Sequence, residues 1–174
     1  YIFQLFGNHT VDAFNQSAYL APDRPALIYQ TLNWDYMSSF GVLAVLPLRI
    51  GERFTSRITL VGFDYLLRNR DFYGMDYNRS KWVGSASMDN TLRLSRKPDL
   101  VFELSGSYQT EAIQCTYDLT PSWRVDAGLK WTFAGGKADL SVKGNDLFDS
   151  VTPVSKVDFE GQHLRMDNAF YTRN

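Results

Sequence analysis

Three stretches in the second half of the chain decide its fold class: residues 100–108 (LVFELSGSY), 125–133 (VDAGLKWTF) and 138–144 (ADLSVKG). In each of them apolar and polar residues alternate one by one. A period of two is typical of a β-strand, because successive side chains of a strand point to opposite faces of its sheet. The three stretches therefore predict an antiparallel meander with one apolar and one polar face.

The length of these segments carries a second indication. With their flanks they run to about ten to twelve residues, whereas ordinary strands have roughly five to six. A tilted strand of about nine to eleven residues is what a crossing of a bilayer requires. The meander is therefore predicted to be part of a transmembrane β-barrel.

Composition is compatible with this prediction. The 174 residues carry a net charge of −1 and no basic stripe, which excludes nucleic acid as an expected partner. The mean hydropathy of −0.28 would suit a soluble protein, but a transmembrane barrel has the same average, since half of each strand faces a polar lumen. The single cysteine, Cys115, excludes an internal disulfide, and we expect it to pack as a small apolar side chain.

Further strands are predicted on both sides of the meander. One strand is predicted at the start of 1–20, and a last one begins near Leu164. Four others are predicted between them, at 26–36, 40–50, 54–67 and 82–95. The fold class is therefore all-β, an antiparallel up-and-down meander of about nine strands in a single barrel segment over 1–174. Both ends of the chain, at Tyr1 and over 170–174 (FYTRN), read as strand, so we expect a segment cut at both ends and without a plug domain.

The predicted connections alternate between short and long. Short turns are expected at 21–25, 50–52, 96–99 and 134–137, and the connections between them fall at 34–39, 68–80, 110–122 and 149–163. Outer-membrane barrels sort their loops in this way, with short turns on the periplasmic side and longer loops outside.

The segment 142–149 (VKGNDLFD) resembles the N-x-L-F-D signature near the end of TonB-dependent outer-membrane receptors. The wider pattern resembles the outer-membrane β-barrel family common in Bacteroidetes-type bacteria over roughly 26–174. Its matching pieces are 39–42 (SFGV), 46–51 (LPLRIG), 94–100 (LSRKPDL), 106–109 (GSYQ) and 121–130 (PSWRVDAGLK). The resemblance implies the outer membrane of a bacterium, a receptor or transporter barrel of about 22 strands, and a plug. As partners it implies outer-membrane lipid, the remainder of the same barrel, the TonB energy-coupling complex and a surface lipoprotein.

Two sets of residues are the candidate functional groups. Charged residues on the polar side of the alternation are expected to face the lumen: Asp89, Arg93, Glu103, Arg124, Asp126, Lys130, Asp139 and Lys143. Aromatic residues near strand ends are expected to form girdles at the two membrane interfaces: Trp82, Tyr108, Trp123, Trp131, Phe133 and Phe148.

No catalytic, cofactor or metal site is expected. The two histidines, His9 and His163, have no metal-ligand spacing, and the nucleophile elbow G-x-S-x-G is missing from the sequence. Because these motifs are missing, we do not expect an enzyme.

The charged and aromatic residues of 68–81 suit either an outer loop that contacts ligand or an ordinary solvated loop.

Two other readings remain open from the residues alone. The same alternation would suit a soluble or periplasmic up-and-down barrel that binds a small apolar ligand, with its apolar face turned inward. An outer-membrane barrel enzyme would need one of the two histidines to meet a Ser or Asp of a neighbouring strand.

The motif 145–149 (NDLFD) breaks the alternation, because it would place the Asp146 carboxylate on the apolar face. A carboxylate facing hydrocarbon is costly, and Asp and Asn favour turns. We therefore predict that the motif ends its strand, with Phe148 packed at the interface or under the following loop.

Overall fold

A computed structural model describes residues 1–21, 23–24, 26–151, 154–159 and 162–167 of the chain. Within these residues the fold is all-β and antiparallel, as predicted, and the only helical element is a 3₁₀ turn at Ala134–Gly136. No described helix has the length and hydropathy needed to cross a membrane. The prediction of strand over 170–174, and the turn residues Pro22 and Pro25, lie outside the described residues.

Among the described residues, eleven strands form two sheets. They are β1 (Ile2–Leu20), β2 (Leu27–Ile50), β3 (Phe54–Phe72), β4 (Met75–Arg96), β5 (Asp99–Gln109), β6 (Ala112–Gln114), β7 (Tyr117–Leu119), β8 (Ser122–Phe133), β9 (Ala138–Gly144), β10 (Val154–Phe159) and β11 (Gln162–Asp167). The large sheet has seven strands in the order β1-β2-β3-β4-β5-β8-β9, and the small one has the order β11-β10-β7-β6. The large sheet is thus an up-and-down meander whose edges, in the part of the chain described, are β1 and β9.

The first strands are longer than the sequence predicts. β2 runs without interruption over 24 residues, so the expected break at 37–39 is wrong. Ser38 and Ser39 favour turns locally, but each is paired on both sides, to His9 and Asn8 of β1 and to Leu66 and Tyr65 of β3. Two neighbouring ladders satisfy the backbone here and override the local preference.

The predicted loop at 68–80 is also wrong. β3 and β4 continue through it and meet at the two-residue turn Tyr73–Gly74, where both φ angles are positive, 53° and 83°. Such a turn matches the twist of the flanking strands. The charged residues of this segment therefore belong to a paired β-ribbon rather than to a loose loop.

The prediction that short and long connections alternate is only partly right. The connections 51–53, 97–98 and 134–137 are short and lie at one end of the sheet, which we call the turn end. At the opposite end, which we call the loop end, 110–121 is long and contains β6 and β7, but 73–74 is tight. Because β2 is continuous, 21–26 also lies at the loop end, not with the short turns as expected.

The pairing register sorts the side chains of the large sheet into two faces, because directly paired residues share a face. One cross-strand row contains Phe3, Ala44, Leu60, Ala86 and Tyr108. The next row on the opposite face, over β3 to β8, contains Thr59, Ser87, Ser107 and Arg124. We call these the apolar face and the polar face.

Large hydrophobic side chains on the apolar face are solvent-exposed. Examples are Leu5 at 72%, Phe40 at 64%, Ile50 at 68%, Trp82 at 69% and Val142 at 67%. A soluble protein rarely exposes so large an apolar surface, and surfaces of this kind mark contact with protein or membrane.

A small core lies at the loop end, on the polar side of the sheet. Leu67, Phe72 and Tyr77 of the β3–β4 ribbon and Trp34 of β2 pack against Ile113 and Cys115 of the 110–121 connection. We call this group the loop-end cluster. It buries Trp34, Leu67 and Phe72 completely, so burial of apolar area holds the 110–121 connection against the sheet.

Candidate functional site

All eight charged candidates lie on the polar face. Three rows across β4, β5, β8 and β9 carry most of them. Asp89, Ser105 and Asp126 form one row, Glu103, Gly128 and Lys143 the next, and Arg93, Val101, Lys130 and Ser141 the third. Arg124 pairs with Ser107, and Asp139 pairs with Thr132. The sequence therefore identified residues that share one face; that this face lines a lumen stays a prediction.

Ion pairs involve five of these eight charged residues. Lys130 Nζ lies 3.0 Å from an Asp139 carboxylate oxygen, and Arg93 Nε lies 3.3 Å from Asp99. Arg124 Nε donates to both carboxylate oxygens of Asp126, at 2.9 and 2.8 Å. Each pair is partly solvent-exposed, so each contributes only modestly to stability.

The other three charged side chains are not paired. Among the described residues the side chains of Asp89, Glu103 and Lys143 have no hydrogen bond or ion pair. They line a depression of about 400 Å³ together with Arg124 and Asp126. Next to it a second depression of about 340 Å³ is lined largely by hydroxyl and amide groups: Ser85, Ser87, Ser107, Gln109 and Ser122. The polar face thus offers hydrogen-bonding groups of both charges and many hydroxyls to any solute that passes it.

Five of the six aromatic candidates lie on the apolar face. Tyr108 and Trp123 are paired with each other near the loop end of β5 and β8, whereas Trp131 and Phe133 stack at 4.8 Å near the turn end. Trp82 lies on the same face, at the row above Gly84. Trp123 and Trp131 are separated by about 27 Å along their strand, hence by about 20 Å along a membrane normal at a tilt of about 45°. That spacing suits two interface girdles.

The motif 145–149 ends β9 at Gly144, as predicted. The Asp146 carboxylate accepts hydrogen bonds from the Ser150 backbone N–H at 2.9 Å and hydroxyl at 2.8 Å, and from the Val151 N–H at 3.1 Å. These donors, first of all the Ser150 N–H, lower the pKa of Asp146. The Asp146 N–H in turn donates to Asp126 at 2.7 Å, a link that the sequence did not suggest. Phe148 stacks on Trp123 with ring centres 5.6 Å apart.

The 110–121 connection is also fixed by charges on the polar face. Asp118 lies 2.7 Å from Arg79 and 3.5 Å from Lys81, and Lys81 lies 2.9 Å from Glu111. The Tyr77 hydroxyl donates to the Cys115 carbonyl at 3.3 Å. The sequence did not predict this network, because its partners are thirty or more positions apart and most of them lie in segments predicted as loops. Cys115 itself is buried in the loop-end cluster, and burial raises its thiol pKa to about 11.

The histidines occupy exposed positions. His9 Nδ1 lies 2.7 Å from the Ser38 hydroxyl on the apolar face, and His163 Nδ1 lies 2.8 Å from Asp158. Neither His9 nor Ser38 contacts a carboxylate in the described part of the chain. Across the described residues no group of three or more His, Cys, Asp or Glu side chains is placed to hold a metal ion.

One comparison with known proteins identifies a relationship. The model of a family described as the outer membrane protein beta-barrel family matches residues 1–174. No curated protein and no solved structure matches the chain significantly.

Proposed function

Because this chain belongs to the outer membrane protein beta-barrel family, we propose that its large sheet forms part of the wall of a TonB-dependent receptor or transporter. Membership of the family locates the chain in the bacterial outer membrane, which argues against the soluble or periplasmic barrel. The receptor role, the energy coupling and the use of the polar face as a substrate path are the proposal.

The observation that carries the proposal is the separation of the two faces. All eight charged candidates lie on one face, and the exposed tryptophans 82, 123 and 131 lie on the other. In a membrane, only a closed barrel satisfies every backbone group of such a sheet, and its inner face stays hydrated. The apolar face therefore contacts lipid in this proposal, and the polar face lines the lumen.

Closure of the barrel requires partners for the two edge strands. β1 offers a row of unpaired backbone groups over Ile2–Leu20, and β9 offers a shorter row over Ala138–Gly144. Unpaired edges are not tolerated in hydrocarbon. We therefore propose that further strands of the same barrel pair with β1 and β9, and that a plug and the TonB complex, or a surface lipoprotein, act with the assembled barrel.

Tryptophan quenching tests the assignment of the faces. Four variants of the complete barrel, each with one of Trp34, Trp82, Trp123 and Trp131 as its only tryptophan and Phe at the other tryptophan positions, would be reconstituted in vesicles of lipids whose acyl chains carry bromine. We expect strong quenching of the three tryptophans on the apolar face and weak quenching of Trp34, which is buried in the loop-end cluster. Strong quenching of Trp34 with little effect on the others would contradict the proposal.

Cross-linking in living cells tests the receptor role. Cells would be treated briefly with formaldehyde, and the protein would be purified through an affinity tag on this chain. The purified material would then be examined for the periplasmic domain of the energy-coupling protein. A cross-link that disappears when the coupling protein is truncated is the expected result. Correct insertion without any such cross-link would leave the barrel assignment intact and reject energy coupling.

A further inference from the structure

The apolar face contains a groove near the loop end. Two adjacent cross-strand rows contribute small residues to its floor, Ala44 and Ala86 in one and Gly62 and Gly84 in the other. Large side chains border it, among them Leu5 and Tyr108. Its volume of about 720 Å³ lies within the range of small-molecule sites, and its lining is almost entirely apolar.

The floor of the groove is open space at Gly62, where an added Cβ atom would meet no atom within 4 Å. At Gly84 an added Cβ would lie 3.4 Å from the Thr110 Cγ2, an ordinary van der Waals contact. At Gly106, a glycine of the same face outside the groove, an added Cβ meets only the Arg124 carbonyl oxygen, at 3.8 Å. Gly62 therefore shapes a surface depression and does not serve close approach of two strands.

A carboxylate lies directly above the groove. Asp64 occupies the next row of the apolar face, between its paired neighbours Phe40 and Trp82. This row is two residues, hence about 7 Å, from the row of Gly62 and Gly84. Among the described residues the side chain of Asp64 has no ion pair or hydrogen bond, although Asp64 is partly buried beside two large aromatic side chains. One row further, His9 and Ser38 add polar groups to the same face.

We propose that this groove and Asp64 form a binding site for a bilayer lipid whose headgroup carries a positively charged amine. The acyl chain lies over Gly62 and Gly84, and the ammonium group meets the Asp64 carboxylate and the face of Trp82. Charge complementarity commits the site to an amine headgroup, because a phosphate headgroup without an amine would be repelled by Asp64. An aromatic ring beside the carboxylate adds a cation–π contact.

This inference rests on the proposed function, since it takes the apolar face as the one that contacts lipid. The test uses the complete barrel, including the strands proposed to pair with β1 and β9, with Trp82 as its only tryptophan and reconstituted in phosphatidylcholine vesicles. A minor fraction of the lipid is brominated, either phosphatidylethanolamine or phosphatidylglycerol with identical chains. We expect the brominated ethanolamine lipid to quench Trp82 as though enriched about two- to fivefold over the glycerol lipid, the range of a partly exposed ion pair.

Two substitutions decide the outcome. Asp64→Asn should abolish the preference between the two lipids while leaving quenching by either of them present. Gly62→Leu fills the groove and should lower quenching by both brominated lipids, whereas the matched control Gly106→Leu should change neither. The variant that keeps only Trp131 should show no preference.

The failures of the two proposals are distinguishable. The lipid site would be overturned if the parent shows no preference for the ethanolamine lipid over the glycerol lipid, or if Asp64→Asn keeps that preference. If Gly62→Leu does not fold, the Asp64→Asn result decides the question by itself. If the proposed function is wrong and the apolar face does not contact lipid, neither brominated lipid should quench Trp82 or Trp131.

Discussion

At the residue scale, two neighbouring glycines of the large sheet have opposite requirements. A Cβ atom at Gly41 would lie 2.4 Å from both the Gly62 carbonyl oxygen and the Phe63 Cβ, and 2.8 Å from the Phe63 Cα. Real Cβ atoms do not approach backbone so closely, so β2 and β3 would have to separate. At Gly62 the same atom would meet open space.

We therefore predict that Gly41→Ala lowers the free energy of unfolding by about 1–3 kcal/mol, the usual cost of overpacking. Gly62→Ala serves as the matched control and should stay within about 0.5 kcal/mol of the parent. Urea unfolding in lipid vesicles, followed by tryptophan emission, measures both. Equal effects of the two substitutions would mean that β2 and β3 are not paired in the register described.

The Cys115 thiol gives a second prediction at this scale. Its pKa is raised from 9.0 to about 11 by burial, so the reactive thiolate is scarce in the folded protein at pH 8. We expect alkylation by iodoacetamide at pH 8 to be slower in the folded chain than in the urea-unfolded chain by about a hundredfold, as two pKa units imply. The rate in the folded state should rise steeply as the pH approaches the raised pKa. Mass spectrometry of quenched samples gives both rates, and similar values would show that the loop-end cluster is open.

At the element scale, the connection 110–121 is attached to the sheet by one central acid. Asp118 faces both Arg79 and Lys81, and the side chains of Asp118 and Arg79 are about one-quarter exposed. Asp118→Asn leaves two cations without this partner and should raise hydrogen exchange of the β6–β7 hairpin about fivefold, which corresponds to about 1 kcal/mol.

The control for this prediction is Glu111→Gln. The side chain of Glu111 is 60% exposed and, in the described part of the chain, forms an ion pair only with Lys81, so loss of its charge should change exchange by less than about twofold. If hydrogen exchange of the β6–β7 hairpin is as slow in both variants as in the parent, the loop-end cluster alone holds the connection against the sheet.

The turn that ends β9 is the second element with a testable role. Phe148 stacks on Trp123 although it is 64% exposed, and Asp146 organises the turn below it. Phe148→Ala should therefore lower the yield of folded, membrane-inserted protein, measured as the fraction that resists protease in vesicles. A variant that inserts normally but loses only ligand binding would show that the motif is a recognition site instead.

How far the sequence predicts these elements depends on where their partners lie. From β4 to β9 the strands of the large sheet pair in chain order, with only the short β6–β7 hairpin left out, so the alternation predicted which positions share a face and placed all eight charged residues on one of them. At Ser38 and Ser39 the local preference for a turn was overridden by β1 and β3. The attachment of 110–121 rests on Arg79 and Asp118, a distant pair that no periodicity reveals.

At the scale of the whole molecule, the carboxylate of Asp64 marks where the apolar band stops. Below it the apolar face presents Gly62, Leu60 and Ile58 in successive rows toward the turn end. Above it β3 and β4 continue to Phe72 and Met75, well beyond the length that a bilayer crossing requires. We therefore expect the sheet to divide into a membrane-spanning part and a ribbon that extends past the loop-end interface.

This division makes the cost of a buried charge depend on depth. On β8, Ala127 lies midway between Trp123 and Trp131, which we expect at the two interfaces, and Leu129 is one row from the turn-end aromatics. An arginine on the lipid-facing side of a barrel costs about 2–4 kcal/mol at the midplane and about 0–1 kcal/mol near an interface. We expect Leu129→Arg to lower the free energy of unfolding in vesicles by about 2 kcal/mol, and Ala127→Arg to lower it further.

The adjacent residue supplies the control. Lys130 lies on the polar face, and its ion pair with Asp139 is about half exposed, so Lys130→Ala should cost at most about 1 kcal/mol. Unfolding in vesicles of thinner lipid should reduce the cost at Leu129, because the interface then lies closer to that row. A barrel with a dry apolar interior would instead show equal costs at Ala127 and Leu129 that do not respond to lipid thickness. The dependence on depth and thickness together thus distinguishes contact with hydrocarbon from burial in a protein core.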